Sequence, residues 1–300
     1  MMGVRIGTNP IGWSNDDLRE LGGGTPLETC LAEARLAGYA GIELGHKFPR
    51  EAAALAPVLA RHELALVSGW YSSALLERDA AAEWTAIQPH LALLKALGCS
   101  VLILAETTRA VHGDRGVGLS HRPVLADTDW PRFADRLTAL AQAMQAEGLT
   151  VAYHHHMGTV VQSEAEIHRL MELTGPALTL LLDTGHATFA GADPVALARR
   201  YRGRISHVHC KDVRTPVMDE ARRGDWSFLD SVVAGVFTVP GDGAVDFPAV
   251  LGELPGYTGW LVVEAEQDPA KANPLVYARL GHDNLLRFAQ GAGLRGNPPL

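Results

Sequence analysis

The sequence predicts an α/β protein folded as a single (β/α)8 barrel. Eight short runs rich in Val, Ile and Leu alternate with longer amphipathic segments, which is typical of a parallel sheet whose strands are joined by helices. The runs barely alternate in polarity, as expected of strands buried on both faces. An open doubly wound sheet is the alternative, but it would favour a Gly-rich phosphate turn after an early strand, and no GxGxxG follows any of the early predicted strands.

The predicted strands are recognised by their apolar residues and by the turn or helix signals that bound them. In chain order they cover residues 4–8, 40–44, 64–70, 101–105, 149–154, 178–183, 204–210 and 259–264. The clearest helix signals lie in segments 25–38, 127–148 and 163–175. In the first of these, Thr25 is expected as N-cap, Glu28 as its capping-box partner and Gly38 as the stop.

Two connections, 107–128 and 212–245, are too long for simple turns. Both follow strands, so in a barrel both would lie over the catalytic mouth as lids. The barrel domain is expected to span residues 1–291, with 292–300 as a flexible tail.

Composition and charge exclude several classes of function. The chain has 300 residues, of which 47% are hydrophobic and 20% charged, as in ordinary globular proteins. A formal charge of -8 without a Lys/Arg-rich block argues against duplex nucleic acid as a partner. No apolar run approaches the ~18 residues of a membrane helix, and the N-terminus lacks the pattern of a secretion signal. Three scattered cysteines suit a reducing compartment. We therefore expect a cytoplasmic protein without a membrane or nucleic-acid partner, and homo-oligomer formation stays open.

Polar side chains cluster where the strands of the second half end. The runs end in VAYHHH, LTLLLDTGH, ISHVHCK and LVVEAEQ. Side chains two positions apart on a strand share a face. Three pairs therefore point together: His154 with His156, His207 with His209, and Glu264 with Glu266. Because all strands of a barrel end at the same mouth, these pairs and Asp183 predict a metal-dependent active site.

The ligand types indicate which cation such a site would bind. Two imidazoles and two carboxylates without a thiolate suit Mn²⁺, Co²⁺ or Fe²⁺ better than Mg²⁺, which prefers oxygen, or structural Zn²⁺, which prefers Cys.

Deep barrel positions are packed, so His209 is favoured as a ligand over His207. By its place nearer the strand body, Glu264 is assigned to the metal, which leaves Glu266 as a candidate proton shuttle. The choice between His154 and His156 stays open.

Other strand ends carry polar or aromatic residues that could contact a hydroxyl-rich ligand. These candidate substrate contacts are Asn9, Trp13, Glu43, His46, Lys47, Trp70, Glu106 and Arg214.

The chain resembles the myo-inosose-2 dehydratases of the xylose isomerase-like TIM-barrel superfamily. The resemblance covers residues 9 to about 269 and is carried by NPIGWSNDDLRELGGG, YHHHMGT, LLDTGHATFAG, HVHCKDVR, GVFTVPGDG and VVEAEQDP. It implies a Mn²⁺ or Co²⁺ ion with four protein ligands on strands five to eight. Mapped on this chain, they are His154, Asp183, His209 and Glu264. The superfamily usually has Glu at the first position, and His in its place removes one negative charge.

The resemblance also implies an activity. This is dehydration of 2-keto-myo-inositol, a cyclic polyol ketone, to a trihydroxycyclohexanedione and water through an enediolate stabilised by the cation. Glu266 and His156 are candidate bases for the α-proton, and His186 and Lys211 are candidate acids for the leaving hydroxyl. A divalent-metal-dependent keto-sugar isomerase or epimerase is the alternative, because it would form the same enediolate and reprotonate carbon. A DNA-repair endonuclease on this barrel is disfavoured by the charge of -8.

Overall fold

The structure is a computed structural model that describes residues 3–294. Eight parallel strands form a closed barrel in which neighbours follow chain order and the last strand pairs with the first. The strands, numbered one to eight below, are Arg5–Thr8, Gly41–Leu44, Ala65–Ser73, Val101–Glu106, Thr150–His154, Leu178–Asp183, Ile205–Cys210 and Trp260–Val263. The predicted (β/α)8 barrel is confirmed, with strand ends displaced by a few residues at most.

Helices follow the strands and pack around the barrel. They are Leu27–Leu36, Ala52–Arg61, Ala80–Ala96, Trp130–Ala146, Glu164–Leu173, Thr184–Ala190, Pro194–Tyr201, Thr215–Arg223, Phe228–Ala234, Phe247–Gly252 and Pro274–Gly291, with 3₁₀ turns at Pro10–Gly12 and Leu119–His121. Within residues 3–294, no helix is long and apolar enough to cross a membrane.

The helix signals are only partly correct. The first helix begins at Leu27 after Pro26, which makes no side-chain cap hydrogen bond, so the predicted Thr25 cap is wrong. The carbonyl of Thr25 instead accepts a hydrogen bond from Lys47 Nζ at 2.6 Å. Gly38 does end this helix, in a left-handed conformation with φ 102° that favours glycine.

Apolar side chains fill the barrel interior below the mouth. Val67, Trp260 and Val262 form one buried cluster, and Val101, Ile103, Ala152 and Leu181 form another, against which Trp70 packs. A larger cluster lies between the strands and the surrounding helices. Polar side chains are therefore concentrated above these apolar layers, at the C-terminal ends of the strands.

Both long connections reach the histidines of the mouth. The ring of His112, from segment 107–128, lies 5.0 Å from that of His156. Segment 212–245 contains two helices and a two-stranded antiparallel ribbon, and its Phe228 ring also lies 5.0 Å from His156. Arg115 and Asp230 join the two segments through an ion pair of 2.6 Å. This placement agrees with the expected lids.

The predicted tail is described only in part. The last helix ends at Gly291, and Leu294 packs in the core. Residues 295–300 lie outside the described part of the chain, so the boundary of the domain stays a prediction.

Candidate active site

Side chains from four consecutive strands converge at the barrel mouth. His154 and Asp183 end strands five and six, His209 lies in strand seven, and Glu264 directly follows strand eight. One ligand atom of each lies within 4.8 Å of the other three, and all four residues are buried. The structure thus brings together the four residues expected to bind the cation.

Three of these ligand atoms are buried without a hydrogen-bond partner: Asp183 Oδ2, His209 Nδ1 and Glu264 Oε2. Asp183 Oδ2 stands 3.4 Å from His209 Nδ1 and 3.6 Å from His154 Nε2. His209 Nδ1 also contacts Glu264 Oε2 as an ion pair. None of these contacts is a hydrogen bond, and burying polar atoms without hydrogen bonds costs free energy. A cation placed among them would satisfy all of them, so the donor set fits a divalent metal.

Three of the four ligands use their second polar atom elsewhere, which orients the first towards the cluster. His154 Nδ1 donates to the carbonyl of the next residue at 2.7 Å, so its Nε2 carries the free lone pair. Asp183 Oδ1 accepts the backbone N–H of His186 at 2.7 Å. His209 Nε2 lies 3.2 Å from Glu43 Oε1. Such outer contacts set the tautomer and direction of metal ligands.

Glu43 on strand two is fully engaged by the protein. Its Oε1 also accepts from His207 Nε2 at 2.7 Å, and its Oε2 accepts from Asn9 Nδ2 at 2.7 Å. Burial alone would raise the pKa of Glu43, but His209 and His207 outweigh it and hold that pKa well below its usual range. Glu43 is therefore an anionic group that orients His209, although it borders the cavity.

A second group of ligand-type side chains lies beside the first. His156, His186 and Glu266 also place ligand atoms within 4.8 Å of one another. Lys211 lies between them, with Nζ 2.7 Å from Glu266 Oε1 and 3.0 Å from His186 Nε2. Burial raises the pKa of Glu266 to about 7, because the nearby Lys211 only partly offsets it.

A cavity that is partly open to solvent lies above both groups. It is lined by Asn9, Ile11, Asp16, Asp17, Glu43, Leu44, Trp70, Ile103, His156, His209, Glu264 and Glu266. Sequence reasoning missed Asp16 and Asp17 as individual lining residues, although the density of polar groups between Asn9 and Asp17 was the available signal. The cavity wall thus combines carboxylates and imidazoles with a few apolar faces.

Trp70 is the aromatic wall of this cavity. Its ring packs edge-on against His154 and His156, with centroids 5.3 and 5.5 Å away. It can therefore contact a ligand and also restrain the two imidazoles.

Several residues expected to contact substrate do not line the cavity. Trp13 is buried and donates to Glu33, and His46 pairs with Asp16 at 2.6 Å. Glu106 accepts the backbone N–H groups of Leu75 and Thr108.

The other two are engaged in loops. Lys47 Nζ donates to carbonyls at Gly22, Gly23 and Thr25. Arg214 binds carbonyls at Gly235 and Phe237 and pairs with Asp242. In this structure the polar groups of these five residues hold loops and ribbons in place, and their role as substrate contacts stays a prediction.

Comparisons with known proteins agree with this architecture. Residues 31–285 match the family model described as xylose isomerase-like TIM barrel. The chain is 53% identical over 297 residues to the rhizopine catabolism protein MocC of Rhizobium meliloti, covering 98% of this chain and 91% of that protein. It is 43% identical over 279 residues to inosose dehydratase 1 of Bacillus cereus (strain ZK / E33L), covering 92% of this chain and 94% of that enzyme.

Solved structures share the fold. An L-ribulose 3-epimerase superposes with a TM-score of 0.68 at 20% identity, covering 97% of each chain. The IOLI protein, solved with a bound zinc atom, superposes with a TM-score of 0.67 at 15% identity, covering 97% of this chain and 98% of that one.

Proposed function

The chain belongs to the xylose isomerase-like TIM-barrel family, and we propose that it is a divalent-metal-dependent dehydratase acting on 2-keto-myo-inositol. Relatives named inosose dehydratase, 43% identical over 92% of this chain, support the reaction class and the substrate. The observation that carries the proposal is the set of buried ligand atoms without hydrogen bonds beside the Glu266 carboxyl at the base of one cavity.

The cation would be held by His154, Asp183, His209 and Glu264. When bound, it supplies Lewis-acid polarisation of the substrate ketone, which makes the adjacent C–H more acidic. The mixed nitrogen and oxygen ligands favour Mn²⁺ or Co²⁺.

Glu266 is the proposed proton shuttle. Its Oε2 is buried without a hydrogen-bond partner, and the residue lines the cavity. Its Oε1 is fixed by Lys211 at 2.7 Å, which directs Oε2 away from that contact. Glu266 takes the proton from the carbon next to the ketone, the β C–O bond breaks, and the same carboxyl returns the proton to the leaving hydroxyl. Water and an enol conjugated to the ketone result, and this enol tautomerises to the dione, so atoms and charge balance.

His156 is the proposed contact for a substrate hydroxyl. Its Nδ1 donates to the carbonyl of Met157 at 2.8 Å, so the free lone pair is on Nε2. Burial holds the pKa of His156 well below its usual range, which keeps the ring neutral and able to accept a hydrogen bond. His186 and Lys211 do not line the cavity and act on the substrate through Glu266. The two lid segments exclude water from the reacting carbons.

The test is to strip the protein of metal and assay 2-keto-myo-inositol with Mn²⁺, Co²⁺, Mg²⁺ or no metal. Product mass and ultraviolet absorption of the dione report the reaction. We expect metal-dependent loss of one water. Full turnover in the metal-free protein would refute the cation site, and no reaction with any metal would refute the substrate. A product of unchanged mass would instead support the isomerase or epimerase alternative.

A further inference from the structure

We propose that the active site contains two cation positions and that the ammonium of Lys211 permanently occupies the second. This inference rests on the proposed cation site of His154, Asp183, His209 and Glu264. It assigns Lys211 a role that its place in the sequence does not reveal. The consequence is a site that binds one divalent ion per chain.

The first step is the set of groups around Lys211 Nζ. Two of its neighbours, Glu266 and His186, are metal-ligand types at 2.7 and 3.0 Å. With His156 they form a buried trio whose ligand atoms lie within 4.8 Å of one another. Glu266 Oε2 in this trio is buried and has no hydrogen-bond partner. Lys211 thus lies at the point where a cation would meet these ligands.

The second step is the closeness of this point to the first cluster. Lys211 Nζ lies 3.5 Å from Glu264 Oε1 and 3.8 Å from Asp183 Oδ2. In two-metal sites the two ions lie about 3.5–4 Å apart. Asp183 and Glu264 thus border both the first cluster and the position of the ammonium.

The third step is charge. Asp183, Glu264 and Glu266 are all buried, and together they carry three negative charges when ionised. One divalent ion and one ammonium balance them. Without the ammonium, one divalent ion would leave an uncompensated buried negative charge, which is costly. A second divalent ion would then be attracted.

The fourth step is the way the Lys211 stem is held. A Cβ built at Gly185 would lie 2.5 Å from Lys211 Cγ and 2.7 Å from Cδ, so only glycine leaves room for the stem. The backbone N–H and carbonyl of Lys211 are bonded to Thr184 Oγ1 at 3.1 and 2.7 Å. The Nζ atom also lies 4.6 Å from the centroid of the Phe237 ring. The ammonium is therefore fixed in the site.

The experiment counts bound metal. Metal-stripped wild type and Lys211→Met, whose unbranched side chain replaces the lysine stem without the terminal ammonium, are saturated with Mn²⁺. Metal per chain is measured by elemental analysis after removal of free ion. We expect one Mn²⁺ in wild type and two in Lys211→Met, with spin coupling between the ions visible by electron paramagnetic resonance. Removing His186 as well (Lys211→Met with His186→Ala) should return the count to one. The surface variant Lys95→Met is the matched control and should bind one.

The outcomes separate this inference from the proposed function. One ion in both wild type and a folded Lys211→Met overturns the inference and leaves the single cation site intact. Two ions in wild type also overturn it. No ion in wild type refutes the proposed cation site itself. Circular dichroism melting establishes folding, and Lys211→Gln replaces Lys211→Met if the methionine variant does not fold.

Discussion

The division of roles between Glu264 and Glu266 is the sharpest prediction from this site. The perturbation is a pair of isosteric substitutions two residues apart, Glu264→Gln and Glu266→Gln. Glu264 Oε2 is an atom of the four-ligand cluster that forms no hydrogen bond and contacts His209 Nδ1, whereas Glu266 is held by Lys211 at 2.7 Å. We expect the first substitution to remove metal and the second to remove the chemical step.

The magnitudes follow from what each change takes away. Glu264→Gln removes one of four ligands and lowers the ligand charge from two carboxylates to one. Loss of an outer contact to a metal ligand costs about 10–100-fold in affinity, so loss of a ligand should exceed about 100-fold. Glu266→Gln leaves the four ligands in place and should weaken metal binding by about tenfold or less. As loss of a proton-transfer group, it should lower kcat by about 10²–10⁴-fold, or about 3–5 kcal/mol in barrier.

The assay combines metal titration with turnover at several metal concentrations. Activity of Glu264→Gln should recover in part as Mn²⁺ is raised, because the defect is in binding. Activity of Glu266→Gln should stay low at every concentration. The exposed variant Glu77→Gln is the matched control and should behave as wild type. If Glu266→Gln lost metal while Glu264→Gln retained it, the assignment of these two carboxylates would be refuted.

Four further predictions follow from named contacts. Glu43→Gln, which weakens the orientation of His209, should lower metal affinity about 10–100-fold, as measured by calorimetric titration; unchanged affinity would contradict that role. Glu106→Gln should leave KM unchanged and lower the free energy of unfolding by about 1–3 kcal/mol, because the Glu106 carboxylate accepts buried backbone N–H groups. A raised KM without loss of stability would instead support Glu106 as a substrate contact. A metal concentration of 100 times Kd should stabilise the fold by about 2.7 kcal/mol, about 4 °C in Tm for a chain of this length, and a smaller shift in Glu264→Gln serves as the control. Burial raises the pKa of all three cysteine thiols, that of Cys99 to about 12, so a thiol reagent at pH 8 should modify none of them before unfolding and all of them after it.

Local pattern was enough to predict the strands and their functional ends. Strands buried on both faces need continuous apolar runs, and these runs end where the polar pairs begin. The alternation of side chains along a strand placed His154 with His156 and Glu264 with Glu266 on common faces. In the structure each of these pairs does face the same mouth, with one member in each of the two ligand-type groups.

Helix starts and loop residues were less predictable. The Thr25 capping pattern was present, but the helix began after Pro26, and the Thr25 carbonyl accepts a hydrogen bond from Lys47 of another connection. Arg214 follows a strand, as a substrate contact would, yet its guanidinium binds the ribbon of segment 212–245. Contacts between distant segments decided both cases.

The sequence by itself determined the barrel, its strand ends and the residue types at its mouth, because these depend on hydrophobic pattern and side-chain alternation over a few residues. Only the tertiary structure decided which groups meet across the barrel. Glu43 on strand two reaches His209 on strand seven, and Lys211 lies among three carboxylates that come from the ends of two other strands, six and eight. These contacts depend on how the whole sheet closes and how its strands are staggered. No short stretch of sequence encodes that geometry.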